Sequence, residues 1–222
     1  LRRIYYDLIG LPPTRAEIMA FLADDSPKAL EKVVNNLLAR PEFGERWGRH
    51  WLDVTRFAES SGGGRSLVFP HAWRFRDYVI DSFNNDKPYD QFVREQLAGD
   101  EIAPQDPNVL IATAYLRNPV YEWNQRDVRG QWEIILTDIT DTTGEVFLGL
   151  SFGCARCHNH KFDPILQRDY FRLRSFFSSV LWRDDMTLGT TEERAQFEEK
   201  QSLWESSTAE IRAKMDALLQ GA

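Results

Sequence analysis

Apolar residues recur along most of this chain at intervals of three and four, the period of one face of a helix, and strand-like alternation is sparse. In TRAEIMAFLAD, Thr14 with Glu17 three residues on forms a capping-box pattern, and the spacing predicts a helix that buries Ile18, Phe21 and Leu22. The following SPKALEKVVNNLLAR has Ser26 as a cap, Pro27 in the first turn and Leu30, Val33, Val34, Leu37 and Leu38 as its apolar stripe. PEFGERWGRHWLDVTRFAES repeats the scheme with Phe43, Trp47, Trp51, Val54 and Ala58. A chain that opens this way is α-rich.

The run SSGGGRSL, Ser60 to Leu67, breaks the period and has the composition of a flexible loop. Glycines before a helix can cradle a phosphate, but no strand precedes these and the GxxxxGK[ST] spacing is missing, so a linker or lid is expected. Helical periods then resume in HAWRFRDYVIDSFNND, PYDQFVREQLAGD, NVLIATAYLRN and the long RDVRGQWEIILTDITDTTGEVFLGL. From Thr191 the chain becomes a charged helix in which Phe197, Trp204, Ile211 and Leu218 recur every seven residues. Gln201 and Thr208 are polar at the intervening position and Met215 is apolar, so only half of a heptad seam is present. That pattern suits a coiled-coil arm, self-association or domain docking, and equally a terminal helix lying on a bundle. The expected architecture is mainly α: an irregular multi-helix bundle over residues 1–183, then a linker and long charged C-terminal helix over 184–222.

Composition narrows the class. With 222 residues, 42% of them hydrophobic, the chain is long enough to bury a substantial core. The net charge of -7 argues against nucleic acid and anionic membrane as partners. No apolar run approaches the roughly 20 residues of a transmembrane helix, so no transmembrane segment is expected. The opening LRRIYYDLIG has neither an initiator Met nor signal-peptide organisation, and both ends fall inside helical patterns; a piece of a longer polypeptide is the expectation.

The chemistry concentrates in GCARCHNHKFDP, Gly153 to Pro164, which holds both cysteines of the chain. Cys154, Ala155, Arg156, Cys157 and His158 spell a haem attachment pattern: two thiols bond to the haem vinyl groups and the next imidazole becomes the proximal iron ligand. Two residues between the thiols let one backbone turn meet both vinyl positions. Zinc is the alternative cofactor, with Cys154, Cys157, His158 and His160 as ligands, although four ligands within seven residues make a cramped tetrahedron. A thioredoxin-like pair would need a βαβ context, and a disulfide across two residues would be strained.

The other axial position has several candidates. His50 follows Trp47 by three residues and precedes Val54 by four, which places it on the predicted apolar face, either as a distal ligand or as a core histidine bonded to a carbonyl or carboxylate. His71 and Met186 are further candidates, and the position can also stay open. His160 lies too near the proximal ligand to reach the opposite haem face, so contact with a propionate, a carboxylate or a substrate is expected of it. Asp163 can accept a hydrogen bond from an imidazole N–H, but capping of the next helix, with Pro164 in its first turn, is the preferred reading. That helix, in KFDPILQRDYFRLRSFFSSV, should bury Tyr170, Phe171, Leu173, Phe176 and Phe177.

RRIYYDLIGLPPTRAEIMAFLADDSPKALEKVVNNLLARPEFGERWGRHWLDVTRFAES, AWRFRDYVIDSFNNDKPYDQFVREQLAGD and DTTGEVFLGLSFGCARCHNHKFDPILQRDYFRLRSFF together resemble the domain of unknown function found in large planctomycete-type cytochrome proteins, over about Arg2 to Val180. The resemblance favours haem over zinc and carries roles only to Cys154, Cys157 and His158. It implies export to the periplasm or beyond, a multidomain redox protein with a neighbouring cytochrome domain as electron partner, and an association with the degradation of complex polysaccharides. At position 71 a polar residue such as Asn is expected in relatives, which speaks against His71 as a general ligand.

The expected function is therefore electron transfer through one covalent haem c. The first alternative is a haem enzyme acting on peroxide, oxygen or an organic substrate, with His160, Lys161, Asp163 and the Ser60–Leu67 loop as pocket wall. The second is a zinc-stabilised structural or interaction domain.

Overall fold

A computed structural model describes residues 1–183, 189 and 191–220, and these divide between two compact units, Leu1–Trp182 and Arg183–Ala222. The first holds α1 (Arg2–Ile9), α2 (Arg15–Ala23), α3 (Ala29–Leu38), α4 (Pro41–Val54), α5 (Trp73–Asn84), α6 (Tyr89–Ile102), α7 (Pro107–Ala112), α8 (Val128–Leu148) and α9 (Gln167–Phe176). Two 3-10 turns, Thr113–Arg117 and Phe152–Arg156, join them. The second unit is built on the long helix α10 (Thr191–Gln220). The fold is all-α, and the only β pairing among the described residues is an isolated antiparallel bridge between Ser60 and Val68.

The main core lies between α4, α5, α6 and α8. On α5 the buried Phe75, Tyr78, Val79 and Ser82 follow the three-four spacing of one helical face, and α8 meets them with Ile135, Leu136 and Ile139. Aromatic rings fill the centre: Trp51 packs on Phe92 and Phe147, and its indole N–H donates to the wholly buried Gln96 at 2.9 Å. Glu95 is only 4% exposed yet well satisfied, because the Tyr78 hydroxyl, the Gln91 amide and the Lys87 ammonium all donate to it. Burial alone would raise the pKa of this carboxyl, but its three donors outweigh burial and hold it below the ordinary carboxylate range.

Several helices present a different face from the one their apolar residues suggest. In α4 the buried positions are Gly44 and Gly48, with Thr55 just past the end, whereas Trp47 and Val54 are exposed. A Cβ at Gly44 would stand 2.5 Å from the Ile80 carbonyl oxygen and from Asn84, so the missing side chains are what let α5 approach. The α2 capping box forms as predicted, with Thr14 and Glu17 bonded reciprocally. Its Ile18 and Leu22 are nonetheless exposed, because α2 is an edge helix whose main neighbour is α3. Helix α3 starts at Ala29 after Lys28 rather than at the expected Ser26 cap, and of its stripe only Leu37 is fully buried.

The Ser60–Leu67 loop is tied down by hydrogen bonds along its length. Ser61 and Leu67 close it through N–H to carbonyl and hydroxyl bonds, and the Ser61 carbonyl accepts from the Tyr121 N–H at 2.8 Å. Gly62 and Gly63 take φ values of 66° and 76°, which turns the N–H groups of Gly64 and Arg65 toward the Glu122 carboxylate. Glycine supplies the turn, and a distant carboxylate pins it.

In the second unit, Phe197, Trp204, Ile211, Met215 and Leu218 are all exposed along α10, with the Arg212 guanidinium 4.7 Å from the Trp204 ring.

Candidate functional site

The 3-10 turn Phe152–Arg156 leaves α8 through Gly149, which takes the left-handed conformation (φ 64°) that ends the helix. A three-residue period separates its faces. Phe152 and Ala155 point inward and join Ile165 and Tyr170 in a small core of their own, while Cys154, Arg156, Cys157 and His158 stand exposed. Phe152 stacks on Tyr170 at 5.7 Å between ring centres. The turn lies so close to α8 that a Cβ on Gly144 would come within 2.3 Å of Phe152 Cβ.

Both thiols are free and exposed on this turn. The His158 ring is exposed as well, and its Nδ1 is 2.7 Å from the Asn159 carbonyl oxygen. Because a carbonyl only accepts, that contact places the proton on Nδ1 and leaves the Nε2 lone pair available. Asn159 is itself held: its side-chain oxygen accepts from the Gln167 N–H at 3.0 Å, and the Gln167 amide donates back to the Arg156 carbonyl at 3.0 Å.

His160 takes a different course from His158. Its side chain is 7% exposed, its own N–H donates to the Ile165 carbonyl at 2.8 Å, and its Nδ1 accepts from the Asp163 N–H at 2.9 Å. The ring thus closes the loop between the motif and α9. Asp163 does not cap α9, contrary to the sequence expectation; the helix begins three residues beyond Pro164, at Gln167, and Asp169 accepts from the Leu166 N–H instead. The Asp163 carboxylate lies 3.2 Å from His160 Nδ1, but that nitrogen already accepts a backbone N–H, so it does not donate to the carboxylate in the neutral ring. Tyr170 on α9 and Phe177 just past its end are buried as expected, whereas Phe171 and Phe176 are exposed.

Three Arg–carboxylate pairs run along α8 beside the motif, each Arg arriving from a different segment. Arg174 meets Glu133, Arg56 meets Asp138, and Arg156 reaches Asp141 at 3.4 Å. A surface cleft there is lined by Glu133, Ile134, Thr137, Asp138, Asp141 and Arg156. The wholly buried Tyr170 hydroxyl and Asp141 Oδ1 have no hydrogen-bond partner in the protein, although the Asp141 charge is close enough to add to the effect of burial in raising the phenol's pKa.

The remaining sequence candidates lie elsewhere. His50 is exposed on α4 with its ring edge against Trp47 at 5.6 Å; it is not on a buried face, because the glycine seam and not the tryptophan stripe faces α5. Helix α4 packs on α5 and α1, whereas the motif turn packs on α8 and α9. His71 is exposed in the turn before α5, and Met186 lies outside the described residues. The Ser60–Leu67 loop makes its contacts with Val120, Tyr121 and Glu122, not with His160, Lys161 and Asp163 as a pocket wall would require. Among the described residues no three His, Cys, Asp or Glu side chains converge as a metal-ion set, so the four-residue zinc arrangement is not preformed. No helix among them is long and apolar enough to cross a membrane.

Asn159, Gln167, Asp141 and Gly144 escaped the sequence reading. Asn159 offered a signal, an amide directly after the motif histidine; the others are recognisable only once α8 and α9 are packed.

The model of a family described as a protein of unknown function, PSCyt2 (DUF1549), matches residues 1–181. The chain belongs to this planctomycete-cytochrome-associated family. The PSCyt2 match takes in α1 to α9 and the whole Cys154–His158 segment, and stops short of α10. No curated protein and no solved structure matches the chain.

Proposed function

We propose that this PSCyt2 domain is a c-type cytochrome domain that holds one haem covalently through Cys154 and Cys157, with His158 as proximal ligand, and that it passes electrons to a neighbouring cytochrome domain or separate redox protein. The observation that carries this reading is the turn itself: two exposed thiols three residues apart, followed by an exposed imidazole whose Nδ1 is committed to a backbone carbonyl. Metal-bound histidines characteristically have their second nitrogen engaged in this way, which fixes the tautomer and strengthens the ligand. The donor set therefore fits haem c.

When bound, haem supplies the one-electron couple. The chain's own residues do the rest: Phe152 and Ala155 anchor the turn, the two cysteines tether, and His158 presents Nε2. Arg156 sits between the thiols, 3.4 Å from Asp141, so its charge is partly balanced within the protein. Covalent haem attachment of this type takes place outside the inner membrane, which makes an exported, periplasmic location part of the proposal.

The test is a pyridine haemochrome spectrum with intact mass, on protein made in a host with active periplasmic haem maturation. The expected result is a c-type spectrum and one haem per chain, abolished in the Cys154→Ala/Cys157→Ala variant while the fold is kept, since both thiols are exposed. Colourless protein holding stoichiometric zinc would overturn the proposal. A haem that takes up cyanide or carbon monoxide readily would move it to the enzyme alternative.

A further inference from the structure

The proximal histidine is exposed, and an exposed imidazole on a loop normally samples several rotamers. Here a short chain of bonds leads from that ring to a helix. Nδ1 of His158 is 2.7 Å from the Asn159 carbonyl; the Asn159 side-chain oxygen accepts from the Gln167 N–H; and the Gln167 side chain donates to the carbonyl of Arg156, one of the two residues between the thiols. Gln167 is the first residue of α9, whose free N–H groups need acceptors, so Asn159 caps the helix from eight residues away. Helix α9 is in turn fixed by Tyr170, wholly buried against Phe152.

We propose that Asn159 and Gln167 are positioning residues for His158: together they lock the ring in its Nδ1-protonated tautomer and hold the Cys-x-x-Cys backbone at a fixed spacing from the imidazole. The claim rests on the haem reading for its purpose but not for its geometry. Gln167 thus holds the segment on both sides of Cys157, Arg156 O before it through its side chain and the Asn159 side chain after it through its N–H. Loss of either bond frees the segment to rotate while leaving the small core of Phe152, Ala155, Ile165 and Tyr170 untouched. Neither residue would touch the reacting atoms.

Two readouts separate this inference from the function it serves. The first needs no haem: ¹⁵N-histidine NMR of the apo chain, well above the ordinary imidazole pKa of about 6.5. His158 should appear as the Nδ1–H tautomer in the wild type and shift toward Nε2–H in Asn159→Ala and in Gln167→Met, which keeps the volume of glutamine but not its donor. Asn159→Asp retains the acceptor and should restore the wild-type signal. A wild-type Nε2–H tautomer, or variants indistinguishable from wild type, would overturn the positioning role whatever the haem result. The second readout is the ferric electron paramagnetic resonance spectrum of haem-loaded protein. A single axial species should become a mixture in Asn159→Ala and Gln167→Met at equal haem content; one unchanged species in both would overturn the inference and leave the cytochrome reading standing. Absence of covalent haem from the wild type would remove the cytochrome reading and the stated purpose together, while the tautomer result would still judge the geometry.

Discussion

Two of the three buried clusters described in the first unit are stabilised by opposite means. Around Phe75, Phe92, Ile135 and Ile139 the protein buries a broad aromatic and aliphatic core, with Glu95 and Gln96 inside it fully bonded. Around Phe152, Ala155, Ile165 and Tyr170 only a few apolar side chains are buried, and the surrounding loop is tied by side-chain to backbone bonds from Asn159, His160, Gln167 and Asp169. The first arrangement maximises area removed from water; the second holds a few backbone atoms in place while leaving two thiols and an imidazole in solvent. A reactive site of this sort cannot be packed into rigidity, because packing would cover it. It must be tied from behind.

The largest effect is expected at Lys87 in the main core. Replacing it with Met would leave the Glu95 carboxylate buried with only neutral donors, and urea unfolding should show a loss of about 3 kcal/mol. Adding Glu95→Gln to that variant should recover most of the loss, and failure to do so would show that the packing, not the charge, matters there.

In the small cluster the corresponding substitution is Gly144→Ala. The new methyl would collide with Phe152, at a cost of about 1–3 kcal/mol, and hydrogen exchange should show the loosening at residues 152–170 more than on α5 or α6.

A paired change at two buried tyrosines sharpens the contrast. Tyr115 shares a 3.0 Å bond with Thr143, and burial pushes its phenol up to about 12. Tyr115→Phe should cost about 1 kcal/mol through the lost bond, whereas Tyr170→Phe, which removes a hydroxyl that lies near Asp141 without a bond of good geometry, should cost less.

The smallest effect is expected at the edge, where the Arg40 guanidinium and the Thr14 N–H hold the Glu17 carboxyl down at about 2, from an ordinary 4.5. A depressed folded-state value means the stabilisation is complete above about 4.5 and is lost as pH falls toward 2. Circular dichroism during acid titration should therefore show a Glu17→Gln variant less acid-sensitive in that window, and the difference should shrink in high salt because both side chains are partly solvated.

How far each region was legible follows from the same contrast. The helical period, the capping box at Thr14 and Glu17 and the long α8 were readable, since they depend on interactions within a few residues. The buried faces of α4 and α2 were not, because exposure depends on which neighbour arrives. Gly44 and Gly48 admit α5 by having no side chain, a feature that the pattern of apolar residues does not carry, and His50 therefore lies on the exposed face. Asp163 looked like a cap because it precedes a proline, yet the chain spends three more residues closing on His160 before α9 begins.

The helices, and the order of two cysteines and a histidine, are local properties of the chain and follow from residue order alone. It is packing that buries Phe152 and Ala155 while the thiols stay exposed, turns His160 inward as His158 turns out, and brings Gln167 back to Arg156. Those outcomes depend on α8 and α9 meeting across the turn, and no spacing along the chain encodes the distance between two helices that must first be packed.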